Sequence, residues 1–533
     1  MLPSKLLVAL AAALGASATS PSGQERFAHL VRNGALPFKD YTEGHKVGDS
    51  YAGHIVVRKT PSYEAGLFYW YFRAEENAAN APLVVWIQGG PGGSSVQDGL
   101  FFEMGPLRVF REEKPAENEP TNVWHVRRNP HSWTTKYNMI FLDQPVGTGF
   151  SYVDPPAAGI ISEELHTFWT RHLLQGRTHV QGRTHVHNTT ILSDAANRTH
   201  PASHFRLINQ NEAANIFSST SEEEEQDFKN GYAASEGGVS KDFITFMNGF
   251  YDLFPETRKL SLHLTSESYG GKYVPSIATA VAQYNDATSD ASKKIPLTTL
   301  AIGNQWTDPS SQIPTHPAHF INLGLIDEVQ ATLLQTPISE ALDAVKREDW
   351  IGGLQARSEM FSMLAAFTGG INWYDFRLGN KGLEHFTDPI AEYLLHNDTQ
   401  KLLHAEKKIF GTDSAVFLSL ASDNMKSTLP LFPGLLKRYK LLLYQGHFDL
   451  RDGVTSNSAW IDRINWEGRV QFKYSQRKIW KSGKGDLQGY ATQHANLTRV
   501  VLLGCGHLAP ADDGCPAASL EMITRHIDQN DFI

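Results

Sequence analysis

The sequence predicts an α/β protein: a mostly parallel central sheet with helices on both faces and an inserted, largely helical cap. Three observations carry that expectation. Short apolar runs recur at 82–87, 139–142, 260–265, 441–444 and 500–503, as suits strands of a sheet covered on both sides. Each run feeds a turn-forming string at its C-terminal end, and helical stretches such as 273–284 lie between runs. The interval 310–425 is largely helical in pattern, including 338–347, and reads as a cap inserted between core strands.

Taken in order, the first element stands outside that core. Lys5 precedes an apolar run, 6–14, followed by Ala16-Ser17-Ala18. This is the three-part build of a secretory signal peptide over residues 1–18, too short to span a bilayer. No later run reaches the roughly 18 apolar residues of a membrane helix. Secretion, or delivery to a lysosomal or other endomembrane lumen, is therefore expected. That makes four Asn-x-Ser/Thr glycosylation sequons usable, at Asn188, Asn197, Asn397 and Asn496. Residues 19–533 read as one large domain with insertions, because about 500 residues exceed one typical core.

Composition sets further bounds. With 41% hydrophobic and 20% charged residues the chain has a globular make-up, which excludes wholesale disorder and collagen-like repeats. Its 48 Lys and Arg against 57 Asp and Glu leave a formal charge of −9, which excludes a global basic footprint for nucleic acid or anionic membrane. Charging the 22 histidines would reverse that sign. Cys505 and Cys515 are too few for a disulfide scaffold, a thiolate zinc site or an iron–sulfur cluster, and whether they pair is left open. No metal and no cofactor is expected.

The segment 160–225 departs from the rest. It holds a tandem repeat, Gln175-Gly176-Arg177-Thr178-His179-Val180 followed by Gln181-Gly182-Arg183-Thr184-His185-Val186, seven histidines, and an acidic run at 222–225. The histidine spacings match no ligand motif, so it reads as a disordered surface insertion.

The chemistry concentrates in three later loops. Ser268 sits in Glu267-Ser268-Tyr269-Gly270-Gly271, directly after one apolar run and before a helical stretch. A nucleophilic serine needs that placement, because a sharp strand-to-helix turn lifts its hydroxyl clear of the sheet and small neighbours relieve crowding. The usual form is G-x-S-x-G; here Ser266 replaces the first glycine. Ser266 is the poorer nucleophile, since the small position upstream of it is the bulky Leu264. A serine hydroxyl also needs a base, and the base needs a carboxylate to hold one tautomer. Asp449 follows the run at 441–444 and His507 follows the run at 500–503. Serine, aspartate and histidine in that order, each just past a strand, is the arrangement of the α/β-hydrolase fold. His447 and Asp452 compete by position, but His447 would need base and orienting acid from one short loop and reads as structural. Gly89-Gly90-Pro91-Gly92-Gly93 lacks the Gly-Lys-Ser/Thr of a P-loop and any G-x-G-x-x-G spacing. It suits an oxyanion hole, with the amides of Gly90 and Tyr269 as donors.

With these strings in place the chain resembles the serine carboxypeptidases, most closely the vitellogenic carboxypeptidase-like branch. The matching strings are Trp86-Ile87-Gln88-Gly89-Gly90-Pro91-Gly92-Gly93-Ser94-Ser95, Phe102-Glu103-Met104-Gly105-Pro106, 143–152, 267–275, Ala301-Ile302-Gly303-Asn304, and the Asp449 and His507 loops. They run in family order from about residue 50 to the C-terminus, excepting 160–225. The resemblance implies a serine-type exopeptidase that releases single residues from peptide or protein C-termini through an acyl-enzyme. It also implies that Gln88, the Gly89 amide, Glu103 and Glu267 bind the substrate's α-carboxylate. Two acidic side chains repel a carboxylate unless they hold protons, and burial with mutual repulsion keeps a carboxyl protonated in mild acid. Peptide binding is thus expected to favour acidic pH, while His507 as base still needs neutral imidazole. Three departures stand out: Gln88 where the wider family commonly has asparagine, Gly93 where it commonly has cysteine, and the 160–225 segment. Partners are then peptide C-termini, with no nucleic acid and no membrane span; a homodimer is left open. Acyl transfer or ester hydrolysis, or a catalytically silent secreted carrier, would use the same fold; Glu103 and Glu267 argue for peptides.

Overall fold

The computed structural model describes residues 49–111, 124–154, 227–229, 231–382, 384–405, 413–512 and 514–532. The candidate signal peptide, Asn188, Asn197 and the whole of 160–225 lie outside them.

Eleven strands build one sheet. They are β1 (Ser50–Lys59), β2 (Glu64–Phe72), β3 (Leu83–Ile87), β4 (Asn138–Asp143), β5 (Tyr152–Asp154), β6 (Leu262–Glu267), β7 (Leu297–Gly303), β8 (Lys440–Gly446), β9 (Lys478–Lys481), β10 (Leu487–His494) and β11 (Leu497–Leu502). Their spatial order is β1-β2-β4-β3-β6-β7-β8-β11-β10-β9, with β5 on β2. The stretch from β4 through β11 is parallel. Antiparallel pairs close both edges.

Strand alternation explains the apolar runs. In β3, Leu83, Val85 and Ile87 enter one core while Val84 and Trp86 enter the other. The first core is covered by α1 (Glu236–Leu253) and α2 (Gly270–Ala287), through Phe243, Phe246, Ile277 and Val281. Ser235 caps α1 by accepting from the Gly238 amide at 3.1 Å. Between β7 and β8 the described chain is helical from Pro309–Gln312 to Phe432–Leu436, including α3 (Gln335–Lys346) and α4 (Trp350–Thr368). The second core is covered by α5 (Pro516–Ile527), through Met522 and Ile523. Trp86 is fully buried, packs edge-on against Trp133 at 5.7 Å and donates its indole N–H to Gln88 Oε1 at 2.7 Å. Its truncation to alanine would cost about 3–5 kcal/mol.

β7 and the edge hairpins were not among the apolar runs. Thr298 and Thr299 interrupt β7, and β1 and β10 are only half-buried. A half-buried strand has one wet face and so shows no continuous apolar run, whereas β2 is buried almost throughout and does carry one, 67–72. The open question at Cys505 and Cys515 is resolved: they form a disulfide, with Cα atoms 5.9 Å apart.

Candidate active site

The turn between β6 and α2 is two residues long, Ser268 and Tyr269. Ser268 has a φ of +55°, the left-handed region that costs a residue with a Cβ about 1 kcal/mol or more. Three backbone hydrogen bonds hold it there. Its N–H donates to Gly303 O at 2.8 Å, and its carbonyl accepts from Gly271 N at 3.0 Å and Trp306 N at 2.9 Å. Ser266, in place of the usual first glycine, turns its hydroxyl away to donate to Ile87 O at 2.5 Å. A Cβ on Gly270 would collide with that Ser266 side chain.

The β3 loop presses against this turn. A Cβ on Gly89 would stand 2.8 Å from Ser268 Cβ and 3.0 Å from Tyr269 N, so only glycine allows the approach. The loop is held from behind by Asp143, which is fully buried. Its Oδ1 accepts from Ser94 Oγ at 2.8 Å and Val96 N at 3.2 Å, and its Oδ2 accepts from Phe150 N at 3.1 Å. Burial pushes this carboxyl up to about 7.

Asp449 and His507 meet. His507 Nδ1 lies 2.8 Å from Asp449 Oδ2, and both side chains are buried. Asn304, at φ +44° just beyond β7, donates to the same Oδ2 at 2.7 Å. Oδ1 accepts from the amides of Arg451 at 2.7 Å and Asp452 at 3.1 Å. The carboxylate is thus fully hydrogen-bonded and leaves Nδ1 of His507 the donor. The two loops are laced together, Phe448 N donating to Cys505 O at 2.7 Å, and the 505–515 disulfide closes the His507 loop. The Tyr374 ring packs edge-on to the imidazole at 4.9 Å. His507 Nε2 has no hydrogen-bond partner among the described residues. Ser268 and His507 line one cleft but are not joined by a hydrogen bond, a contact that in ligand-free hydrolases commonly tightens only on substrate binding. His447 is exposed on the same loop, away from any such arrangement.

Glu103 and Glu267 are both fully buried. Gln88 joins them: its Nε2 donates to Glu103 Oε1 at 2.9 Å and Glu267 Oε1 at 2.8 Å. Glu103 arrives at the end of a π-helical segment, Ser95–Glu103, where Met104 N donates to Gly99 O. Arg108 pins that end by donating to the carbonyls of Phe101 and Glu103. Burial raises both carboxyls, and their mutual repulsion raises Glu267 further. Their Oε2 atoms carry no donor between them as carboxylates. A proton retained on the pair supplies one. A small cleft of about 60 Å³ brings Gln88, Gly89, Glu267, Ser268 and His507 together.

A family model for serine carboxypeptidases matches residues 41–175 and 217–529. The chain belongs to the serine carboxypeptidase family. Venom serine carboxypeptidase of Apis mellifera is 28% identical over 492 residues, covering 91% of this chain and 85% of that protein. The probable serine carboxypeptidase CPVL of Homo sapiens is 27% identical, covering 90% and 83%. Vitellogenic carboxypeptidase of Aedes aegypti is 25% identical, covering 90% and 84%. These relatives put this serine carboxypeptidase on the vitellogenic-like branch, and its family makes it a hydrolase of the exopeptidase class. The crystal structure of KEX1(delta)p, a prohormone-processing carboxypeptidase from Saccharomyces cerevisiae, superposes with a TM-score of 0.66 at 22% identity, covering 91% and 92%, and shares the fold. The unmatched stretch, 176–216, lies inside the segment set apart on composition.

Sequence reasoning assigned no role to Asn304, Asp143, Tyr374 or Arg451. Asn304 had a signal, since it follows a parallel strand at the carboxyl edge where ligands bind. Tyr374 comes from the helical insertion and has no local signal. Of the described sequons, Asn397 is exposed at the start of a short helix, Asn397–Leu402. Asn496 instead donates its amide to Leu436 O at 2.9 Å. No described helix is long and apolar enough to cross a membrane.

Proposed function

We propose that this serine carboxypeptidase hydrolyses C-terminal residues from peptides and proteins in mild acid, through Ser268, His507, Asp449 and an acyl-enzyme. The observation that supports this most is the buried Glu103–Glu267 pair, bridged by Gln88 in the cleft that also holds Ser268 and His507. Protonated, the pair donates to a substrate α-carboxylate alongside the Gly89 amide; ionised, it repels it. A substrate must therefore end in that cleft, which makes the reaction an exopeptidase one.

In the first step His507 Nε2 takes the Ser268 proton as Oγ attacks the scissile carbonyl. The amides of Gly90 and Tyr269 receive the developing oxyanion, a kind of contact whose loss costs a hundredfold or more, on the order of 3 kcal/mol. Asp449 stabilises the imidazolium without taking its proton. The imidazolium then protonates the leaving amine, the terminal amino acid departs, and water attacks the acyl-serine with His507 as base again. On the same reading, residues 1–18 send the chain to a lumen or the exterior, residues 19–533 form the mature domain, and glycans at Asn397 and the other sequons decorate it.

The test is release of the terminal amino acid from an N-blocked dipeptide at about pH 5 by the full-length protein and by Ser268→Ala. The expected result is turnover by the former only. Full activity in Ser268→Ala removes Ser268 as nucleophile. Failure of a fluorophosphonate to label Ser268 would favour a silent carrier instead.

A further inference from the structure

Arg451 is a cation in the substrate cleft that the catalytic scheme does not use. It lines the cleft with Ser268, His507 and Tyr374. Its backbone is fixed at the triad, since its N–H donates to Asp449 Oδ1 at 2.7 Å and its carbonyl lies 3.0 Å from His316 Nε2. The guanidinium carbon sits 5.5 Å from the Tyr374 ring centroid and 5.3 Å from that of Phe361. Stacking of this kind holds the plane of the guanidinium while leaving its edge donors free. Among the described residues the guanidinium makes no hydrogen bond. Its carboxylate neighbour is Asp452, 3.8 Å from Nε, beyond hydrogen-bond reach. Asp452 is fully buried and burial raises its carboxyl, while Arg357 also faces it, so it only partly offsets the Arg451 charge. The Arg451 side chain is 20% exposed, open to a ligand.

We infer that Arg451 selects peptides carrying an acidic side chain on the residue that precedes the released one. This deepens the exopeptidase reading and rests on it. With the α-carboxylate held at Gln88 and Glu267, and the scissile carbon over Ser268, the released residue occupies the Glu267 side. The preceding residue then extends from Ser268 toward the wall built by the Asp449 and His507 loops, where Arg451 stands. A planar guanidinium with unused donors matches a carboxylate as a two-point partner.

The experiment compares kcat/KM for N-blocked Glu-Leu, Gln-Leu and Lys-Leu at about pH 6, where a substrate glutamate is ionised. The full-length protein is expected to prefer Glu over Gln by roughly tenfold, with Lys the poorest. Arg451→Met keeps the apolar stem against Tyr374 and Phe361 and is expected to bring the Glu-to-Gln ratio near one. Arg451→Glu is expected to invert the order in favour of Lys. Fluorophosphonate labelling of Ser268 checks that each variant is folded. A flat wild-type profile overturns the inference. An equal loss on all three substrates in Arg451→Met also overturns it, because Arg451 would then hold the α-carboxylate itself. Absence of turnover on every dipeptide removes the exopeptidase reading, whereas good turnover with a flat profile removes only this inference.

Discussion

Gly93 lies against Gln88: a Cβ built on Gly93 would stand 3.0 Å from Gln88 Cγ. The two departures from the family's common asparagine and cysteine are therefore one departure. The longer side chain at 88 fills room that the missing side chain at 93 leaves, and so reaches both Glu103 and Glu267. Gly93→Cys is expected to displace the Gln88 amide and raise KM several-fold with a smaller change in kcat. Adding Gln88→Asn is expected to recover part of that loss, a non-additivity measurable by a double-mutant cycle. Purely additive effects would mean the two positions do not share space.

On the proposed reading the acid pair sets the pH dependence of binding. Burial raises both carboxyls, so they hold protons in mild acid and lose them as pH climbs. KM for a blocked dipeptide is expected to rise from pH 5 to pH 8, since ionised Glu103 and Glu267 face the substrate carboxylate. In Glu103→Gln/Glu267→Gln, whose amides are neutral donors throughout, KM is expected to be flat over that range. A flat wild-type KM would place the α-carboxylate elsewhere.

Asn304 shares Asp449 Oδ2 with His507. Asn304→Ala removes a hydrogen bond to a buried carboxylate, worth about 1.5–3 kcal/mol, and is expected to lower kcat roughly tenfold or more with little change in KM. Asn304→Asp is expected to be worse, because it sets a second carboxylate beside the first. Unchanged kcat in both would show that the amides of Arg451 and Asp452 orient Asp449 alone.

Stability should peak in mild acid. His263 and His316 are pushed down to about 4 and His526 to about 3 by burial. Their contribution is full above the unfolded value near 6.5 and is lost as pH falls toward the folded values. Asp143 is pushed up to about 7 and Asp512 to about 8, and Glu103, Glu236 and Glu267 are also raised. The contribution of these acids is full below about pH 4 and is lost as pH rises through their raised values. The acids outnumber the histidines between pH 4 and 6.5. Above about 7 the acids are opposed among these groups by Lys272, which burial pushes down to about 7, and they still outnumber it. Tm by scanning calorimetry is expected to be higher at pH 5 than at pH 8; the reverse order would refute this.

The Cys505–Cys515 bridge closes the loop that carries His507. Replacing both cysteines by alanine is expected to cost roughly 2–3 kcal/mol by loop-closure entropy. The loss is read from the denaturant midpoint, and kcat should fall with it as the imidazole loses its fixed place. A variant with unchanged midpoint would show that Gly506 N, held at 2.6 Å by Asp512 Oδ2, already orders the loop.

The sequence by itself determined the fold class and pointed to the three candidate catalytic loops. Five of the parallel strands carry short apolar-rich runs, so local pattern marks them, and Ser268, Asp449 and His507 each follow one within a few residues. Those are short-range features, written in adjacent letters. The resemblance then carried Gln88, Glu103 and Glu267 to one site. What only the tertiary structure decided are the contacts between distant segments. They include Gln88 bridging two acids 15 and 179 positions away, Asn304 reaching Asp449 across 145 positions, and the helical insertion setting Tyr374 on His507. It also decided that Cys505 and Cys515 pair and that Arg451 enters the cleft. Such contacts depend on sheet order and on how two buried cores pack, and no local period encodes either.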